Sequence, residues 1–243
     1  MEPSLEQLKV KIFADGADLR GMLDLAANPL ISGFTTNPTL MRKAGVTDFE
    51  GFAREVLAEI RDRPISFEVF SDDFDEMEAQ ARTIATWGEN VYVKIPVSNT
   101  QGEPSFDLLA RLADAGVRLN VTALMTARQV REVALKLAGV SGAFISLFAG
   151  RVADTGRDPL PVIAESLEAI QGSPELELIW ASPRELLNVF QADELGCHVI
   201  TVTSDILKKL TLVGYDLDAF SLDTVKMFRD DAVAAGYELS RSD

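Results

Sequence analysis

The apolar positions of this chain change period at short, regular intervals. Ile12-Phe13-Ala14, between Lys11 and Asp15, has the form of a buried strand over 11–15, and Leu19, Met22, Leu23 and Ala26 then share one stripe, predicting a helix over about 17–27. The pair repeats. A strand over 31–38, limited by Pro38, precedes a helix carrying Phe49, Phe52, Ala53, Val56, Leu57 and Ile60 at helical spacing. A strand over 65–70 leads to a helix over about 73–87, acidic in its first turn as the helix dipole prefers and stopped by Gly88. A strand over 90–96 is followed by a helix over about 105–115, closed by Gly116.

The second half keeps this rhythm. Strands are predicted over 117–124, 142–148, 176–181 and 198–203. Thr126 leads a helix that ends at Gly139; residues 150–157 read as a loop before a helix with Pro159 and Pro161 in its early turn, fading near Gln171. Ser182-Pro183-Arg184-Glu185 has the form of a helix start, with serine as N-cap and proline at the first position, and Ser204 opens a helix through Leu207 and Leu210. Eight strands alternating with eight helices leave an open doubly wound sheet or a closed barrel, and that count within about 200 residues favours an α/β fold of the (β/α)₈ barrel type. No Gly-x-Gly-x-x-Gly follows the first strand and no Walker lysine motif occurs, which argues against the open nucleotide-binding sheet. Residues 1–243 are read as one domain. An extra C-terminal helix over 221–238, with Leu222, Val225, Phe228 and Ala232 at helical spacing, is expected to cover a barrel flank or reach a neighbouring subunit.

Composition narrows the function. A formal charge of −15 opposes nucleic acid and anionic membrane surfaces as partners, so any anionic ligand must be held by local cations. Cys197, the single cysteine, excludes an internal disulfide or a thiolate metal cluster, and a reducing, cytoplasmic setting is expected. The first residues lack the basic-then-apolar form of a signal peptide, and no apolar run approaches the ~20 residues of a membrane span. His198 is the single histidine, so a site of several histidine ligands is impossible; it reads as a packed or surface residue at a strand start.

The chemistry gathers around Lys94, a lysine inside the apolar run Val91-Tyr92-Val93-Lys94-Ile95-Pro96. An ammonium buried there must snorkel out, find a carboxylate, or lose its proton and become a nucleophile. Barrel active sites lie at the C-terminal ends of the strands, and seven of the eight expected ends carry polar groups: Asp15, Thr35 with Asn37, Glu68, Lys94, Asn120 with Thr122, Ser146, and Ser182. Each has a plainer reading. Lys94 could pair with Asp15 or Glu68 as a structural ion pair, Thr35 and Asn37 could form the turn before Pro38, and Ser182 could be only a cap. Their joint placement favours a site, because so large a buried polar set is costly without partners. Arg151 and Arg184 follow the sixth and seventh strands and suit a phosphate monoester, the alternative being an ion pair with Asp154 or Glu185.

These residues carry a resemblance. Phe13-Ala14-Asp15-Gly16-Ala17-Asp18, Gly33-Phe34-Thr35-Thr36-Asn37-Pro38, Val93-Lys94-Ile95-Pro96-Val97, Leu119-Asn120-Val121-Thr122, Ser146-Leu147-Phe148-Ala149-Gly150-Arg151 and Ala181-Ser182-Pro183-Arg184 resemble, in this order, the transaldolases and the related fructose-6-phosphate aldolases. The resemblance implies a class I enzyme in which Lys94 forms a Schiff base with the C2 ketone of a ketose phosphate. It implies that Asp15 takes the C4 hydroxyl proton, that Glu68 and Thr122 hold a proton-shuttling water, and that Asn37, Asn120 and Ser146 grip the dihydroxyacetone fragment. Arg151 and Arg184 then hold the phosphate, and no metal or organic cofactor is required. Glu68 and Phe148 stand where transaldolases differ from the aldolases, which usually carry glutamine and tyrosine there, so transfer to an aldose phosphate is expected over simple cleavage. Leu147, Pro183 and residues 157–161 depart from the family pattern near the phosphate end. The alternatives are an aldolase releasing free dihydroxyacetone and a catalytically silent sugar-phosphate-binding barrel. Small members of the family assemble in rings, so the resemblance also implies a homo-oligomer.

Overall fold

The computed structural model describes residues 4–140 and 142–239. Within them eight parallel strands close into a barrel in sequential order, β1 (Lys11–Asp15), β2 (Ile31–Thr35), β3 (Ile65–Glu68), β4 (Val91–Pro96), β5 (Leu119–Leu124), β6 (Ala143–Leu147), β7 (Leu176–Trp180) and β8 (Val199–Thr203), with β8 pairing back onto β1. The helices are α1 (Leu19–Ala26), α2 (Pro38–Lys43), α3 (Phe49–Glu59), α4 (Phe74–Ala85), α5 (Phe106–Asp114), α6 (Ala127–Lys136), α7 (Ala149–Asp154), α8 (Leu160–Ile170), α9 (Leu187–Glu194), α10 (Ser204–Leu207) and α11 (Leu217–Ala234). Side chains that accept from the first-turn amides start many of them: Asp18, Asn37, Asp48, Asp73 and Thr126, the last in a full capping box with Gln129.

The strand pleat sorts the residues. On β4, Val91, Val93 and Ile95 point outward and are buried under the helices, whereas Tyr92 and Lys94 point into the barrel. Phe13, Phe144, Ile179 and Val199 fill the lower interior as an apolar floor, against which Tyr92 and Phe148 pack, with Phe13 and Phe144 edge-to-face at 5.4 Å. Burying one such phenylalanine is worth roughly 2–3 kcal/mol. Gly33 makes room for that floor, because a Cβ on it would sit 2.6 Å from the Phe13 ring. The polar strand ends stand directly above.

The differences from expectation have local causes. Asn37-Pro38 is an N-cap followed by proline at the first helical position, so α2 begins where a strand was expected to run on to residue 38. The expected loop over 150–157 contains α7, whose Ala149, Gly150 and Val152 are buried; six residues are too few for the sequence to display a period. Ser182 is not an N-cap: its φ is +59°, and α9 starts only at Leu187, with Asn188 Oδ1 reaching back to accept from the Arg184 and Glu185 amides at 2.8 and 3.2 Å. The last helix, α11, starts earlier than expected and buries none of its 18 residues, so its apolar stripe is not laid on the barrel flank.

Candidate active site

Lys94 lies at the centre of the barrel mouth and is only 5% exposed. Its Nζ donates to the Thr36 carbonyl at 2.9 Å and lies 3.2 Å from Glu68 Oε2. The register fixes this arrangement. Glu68, Lys94 and Asn120 are direct partners across β3, β4 and β5, and Thr122 pairs with Pro96 one step higher. Both plain and functional expectations for Lys94 therefore meet in the same geometry: it has a carboxylate partner, and that partner stands inside the mouth.

Asp15 closes the other side. Thr35, its direct neighbour on β2, donates from its hydroxyl to Asp15 Oδ1 at 2.8 Å. Burial raises the Asp15 pKa above the ordinary carboxylate value; the charge of Lys94 and the Thr35 hydrogen bond pull it back, and Glu68 adds to the rise. A carboxyl so placed holds a proton more readily than one in water, which suits a group that accepts and returns one.

A second polar chain crosses the mouth. Ser146 Oγ donates to Asn120 Oδ1 at 2.7 Å, and Asn120 Nδ2 donates to Ser66 Oγ at 3.0 Å, all three residues being buried. Thr122 Oγ1 is equally buried and has no hydrogen-bond partner among the described residues. Such an orphaned hydroxyl inside a native fold calls for a water or a ligand. Asn37 spends its Oδ1 on the Leu40 amide as the cap of α2, leaving its amide nitrogen for other work.

The rim after β6 and β7 is a packed unit. Phe148 precedes α7, and Arg151 holds its guanidinium 5.3 Å from the Phe148 ring centre. Gly150 lies against the Ser182 carbonyl so closely that a Cβ would fall 1.5 Å from that oxygen. Arg184 Nε donates to Asp154 Oδ1 at 2.9 Å and its Nη2 to Asp154 Oδ2, so the ion pair weighed as the alternative for Arg184 is formed, with Asp154 rather than Glu185. Both partners are about half exposed, at 47% and 53%, and such a pair is worth little in water. Arg151 and Arg184 thus share one rim, and Arg184 is pre-set in a fork-to-carboxylate geometry.

Every candidate site residue named from the sequence lies on the mouth side of the barrel. Lys94, Glu68, Asp15, Thr35, Asn120, Thr122 and Ser146 form the inner layer, whereas Asn37, Phe148, Ser182, Arg151 and Arg184 stand on the loops and helix starts above it. Two residues were missed. Ser66 and Thr201 hydrogen-bond into the two buried chains, Thr201 through Thr35. Inward parity was the signal for Ser66 and Thr201; serine and threonine are so ordinary in strands that it passed unread. His198 lies at the opposite end of the barrel, where its Nδ1 accepts from the Leu178 amide at 3.1 Å, and the Cys197 thiol is buried and pushed up to about 12 by desolvation.

Comparison with known proteins decides the family. The model described as Transaldolase/Fructose-6-phosphate aldolase matches residues 12–239. The chain belongs to this family. Relatives from Methanococcus maripaludis and Thermoanaerobacter sp., each named "Probable transaldolase", are 34% and 35% identical over 202 residues, covering 83% of this chain and 89% of each relative. Among solved structures, a dihydrodipicolinate synthase from Rhodopseudomonas palustris superposes with a TM-score of 0.58 at 14% identity, covering 97% of this chain and 83% of that one, which shows the shared barrel alone. In this transaldolase/aldolase family member, the matched span includes every residue of the mouth described above.

Proposed function

We propose that the chain is a transaldolase, carrying a dihydroxyacetone unit from a ketose phosphate to an aldose phosphate through a Schiff base on Lys94. The observation that carries this reading is the Lys94 amine, buried beside a carboxylate, with Asp15 in the same mouth. The substrates are small sugar phosphates, and the proposal needs no metal or organic cofactor. Fructose 6-phosphate or sedoheptulose 7-phosphate is the proposed donor.

The geometry supports the following steps. Lys94 gives up a proton, for which Glu68 is the nearest base, and its nitrogen attacks the C2 carbonyl; loss of water leaves a protonated imine. Glu68 and Thr122, on the strands either side of Lys94, suit a water that delivers and removes those protons, and the orphaned Thr122 hydroxyl supports this role. The Asp15 carboxylate then takes the C4 hydroxyl proton. The C3–C4 electron pair flows into the iminium as the C4 aldehyde leaves, and an enamine remains on Lys94. Attack of that enamine on an incoming aldehyde, with Asp15 returning the proton, makes the new bond, and hydrolysis frees the amine. Asn120 and Ser146, already joined by a hydrogen bond, face the three-carbon fragment with Asn37, while Arg151 and Arg184 face the phosphate.

Glu68 and Phe148 favour transfer over release of free dihydroxyacetone, and dependence of turnover on an aldehyde acceptor separates the two activities. Borohydride reduction in the presence of fructose 6-phosphate, followed by mass mapping, is expected to label Lys94. An active preparation that forms no adduct there would sink the Schiff-base reading, and turnover intact in Lys94→Ala would leave only a silent binding barrel. A cytoplasmic homo-oligomer assembled through α11 completes the proposal, supported by that helix's exposed apolar residues.

A further inference from the structure

The eighth strand was the one whose end carried no expected site residue. In the structure its inward face nevertheless presents a buried hydroxyl, Thr201, level with Phe13 on β1 and hydrogen-bonded over that strand to Thr35 of β2. Thr35 in turn donates to Asp15 Oδ1. A hydroxyl has one proton to give, and an ionised carboxylate can only accept. The Thr35 proton is therefore committed to Asp15, which makes Thr201 the donor to Thr35. The chain has one direction: Thr201 to Thr35 to Asp15.

We propose that Thr201 is a positioning residue for Asp15, holding Thr35 so that Oδ1 of the carboxylate stays occupied and Oδ2 is the oxygen left to exchange a proton with substrate. This inference rests on the reading of Asp15 as the group that takes the substrate hydroxyl proton. Three features support it. Thr35 and Thr201 are 1% and 5% exposed, so water does not readily replace either bond. Asp15 has no other protein side chain donating to it among the described residues, so its orientation depends on Thr35. Valine has the shape of threonine, so packing on β8 alone does not call for a hydroxyl; Val199, on the same inward face, is itself an example. Aligned donors in a buried chain reinforce one another, so removing the far one weakens the near one.

The experiment compares Thr201→Val with Thr201→Ser. Valine keeps the volume and loses the hydroxyl, whereas serine keeps the hydroxyl and loses the methyl. Thr201→Val is expected to lower kcat about tenfold with little change in KM, and to raise the pH at which activity is lost on the acid side, as a carboxylate less supported by hydrogen bonds holds its proton longer. Thr201→Ser is expected to stay within about twofold of the parent in both respects. A second readout needs no turnover: the ¹³C carboxyl titration of Asp15, assigned by its loss in Asp15→Asn, should move up in the valine variant and not in the serine variant. If the valine variant does not fold, Thr201→Ala is read in the same two ways. A valine variant matching the parent in kcat and in the Asp15 titration overturns the proposal, as does equal loss in valine and serine variants, which would mark a packing role. Absence of a borohydride adduct on the parent would instead remove the transaldolase reading, and the Asp15 titration would still decide the place of Thr201.

Discussion

At the scale of single residues, the site is a set of groups that the fold holds against their preference for water. Asp15 shows this most directly. Its pKa is raised, chiefly by burial, so the folded state holds the Asp15 proton more tightly than the unfolded chain does. The sign of the linkage follows: the group favours folding most below the ordinary aspartate value of about 3.9, and its contribution is lost as pH rises through the higher folded value. At neutral pH, well above the unfolded value, the Asp15 carboxyl is therefore a standing cost to folding. Asp15→Asn is expected to abolish sugar transfer while raising the urea midpoint at pH 7, and the gain in stability should vanish near pH 3, where the parent carboxyl is protonated too. An Asp15→Asn protein less stable than the parent at pH 7 would contradict the assignment. Much of the site was legible at this scale because strand parity forces it. Lys94, Glu68, Asn120 and Thr122 are polar where the pleat turns residues inward, and register then brings them together. Thr201 and Ser66 obey the same parity, but a hydroxyl in a strand raises no suspicion until its partner is seen.

At the scale of elements, the chemistry of the rim depends on how α7 is stapled to the segment after β7. Gly150 approaches the Ser182 carbonyl, Ser182 takes a left-handed φ of +59° to present it, and the Asn188 side chain holds the following two amides. Strain of this kind persists only where its surroundings fix it, here beside Arg151 and Arg184. A methyl group at position 150 cannot be accommodated by rotating a side chain, because the atom it meets is backbone. Gly150→Ala is expected to push α7 and the Ser182 segment apart. It should raise KM for phosphorylated substrates roughly tenfold or more while leaving borohydride trapping of Lys94 by unphosphorylated dihydroxyacetone intact, because losing the phosphate grip removes binding energy and not the nucleophile. Unchanged KM for phosphorylated donors would show that this rim does not hold the phosphate. The strands and most long helices could be read from periodicity, but α2 and α7 could not. Each has six residues, fewer than two turns, and is made by a cap or by tertiary contact. The Ser-Pro-Arg-Glu signature after β7 misled because tertiary contact overrides it: Ser182 is held in a left-handed conformation with its carbonyl against Gly150, and the Asn188 side chain, not Ser182, accepts from the following amides.

At the scale of the whole molecule, α11 is the element that the barrel does not explain. It is 18 residues long, buries none of them, and leaves Leu217 at 79%, Val225 at 61% and Phe228 at 63% exposure. A single helix of this composition, with β-branched, aromatic and four aspartate residues, is marginal in water without a surface to dock on. The barrel flank does not supply that surface, so a second copy of the chain is the proposed source. The net charge of −15 opposes such self-association, and this opposition is screened by salt, whereas burial of apolar side chains is not. Light scattering of the full chain is expected to give a mass well above 26.5 kDa, with tighter assembly at higher ionic strength. Removing residues 217–243 should leave the barrel folded, since no residue of α11 is buried in it, and should give a monomer. Trapping at Lys94 in that truncated protein then separates two roles for the helix. Full labelling would make α11 an assembly element alone, and reduced labelling with an intact barrel would mean that the assembly also shapes the mouth. A full-length chain that is monomeric at every salt concentration, with α11 helical by circular dichroism, would remove the assembly proposal.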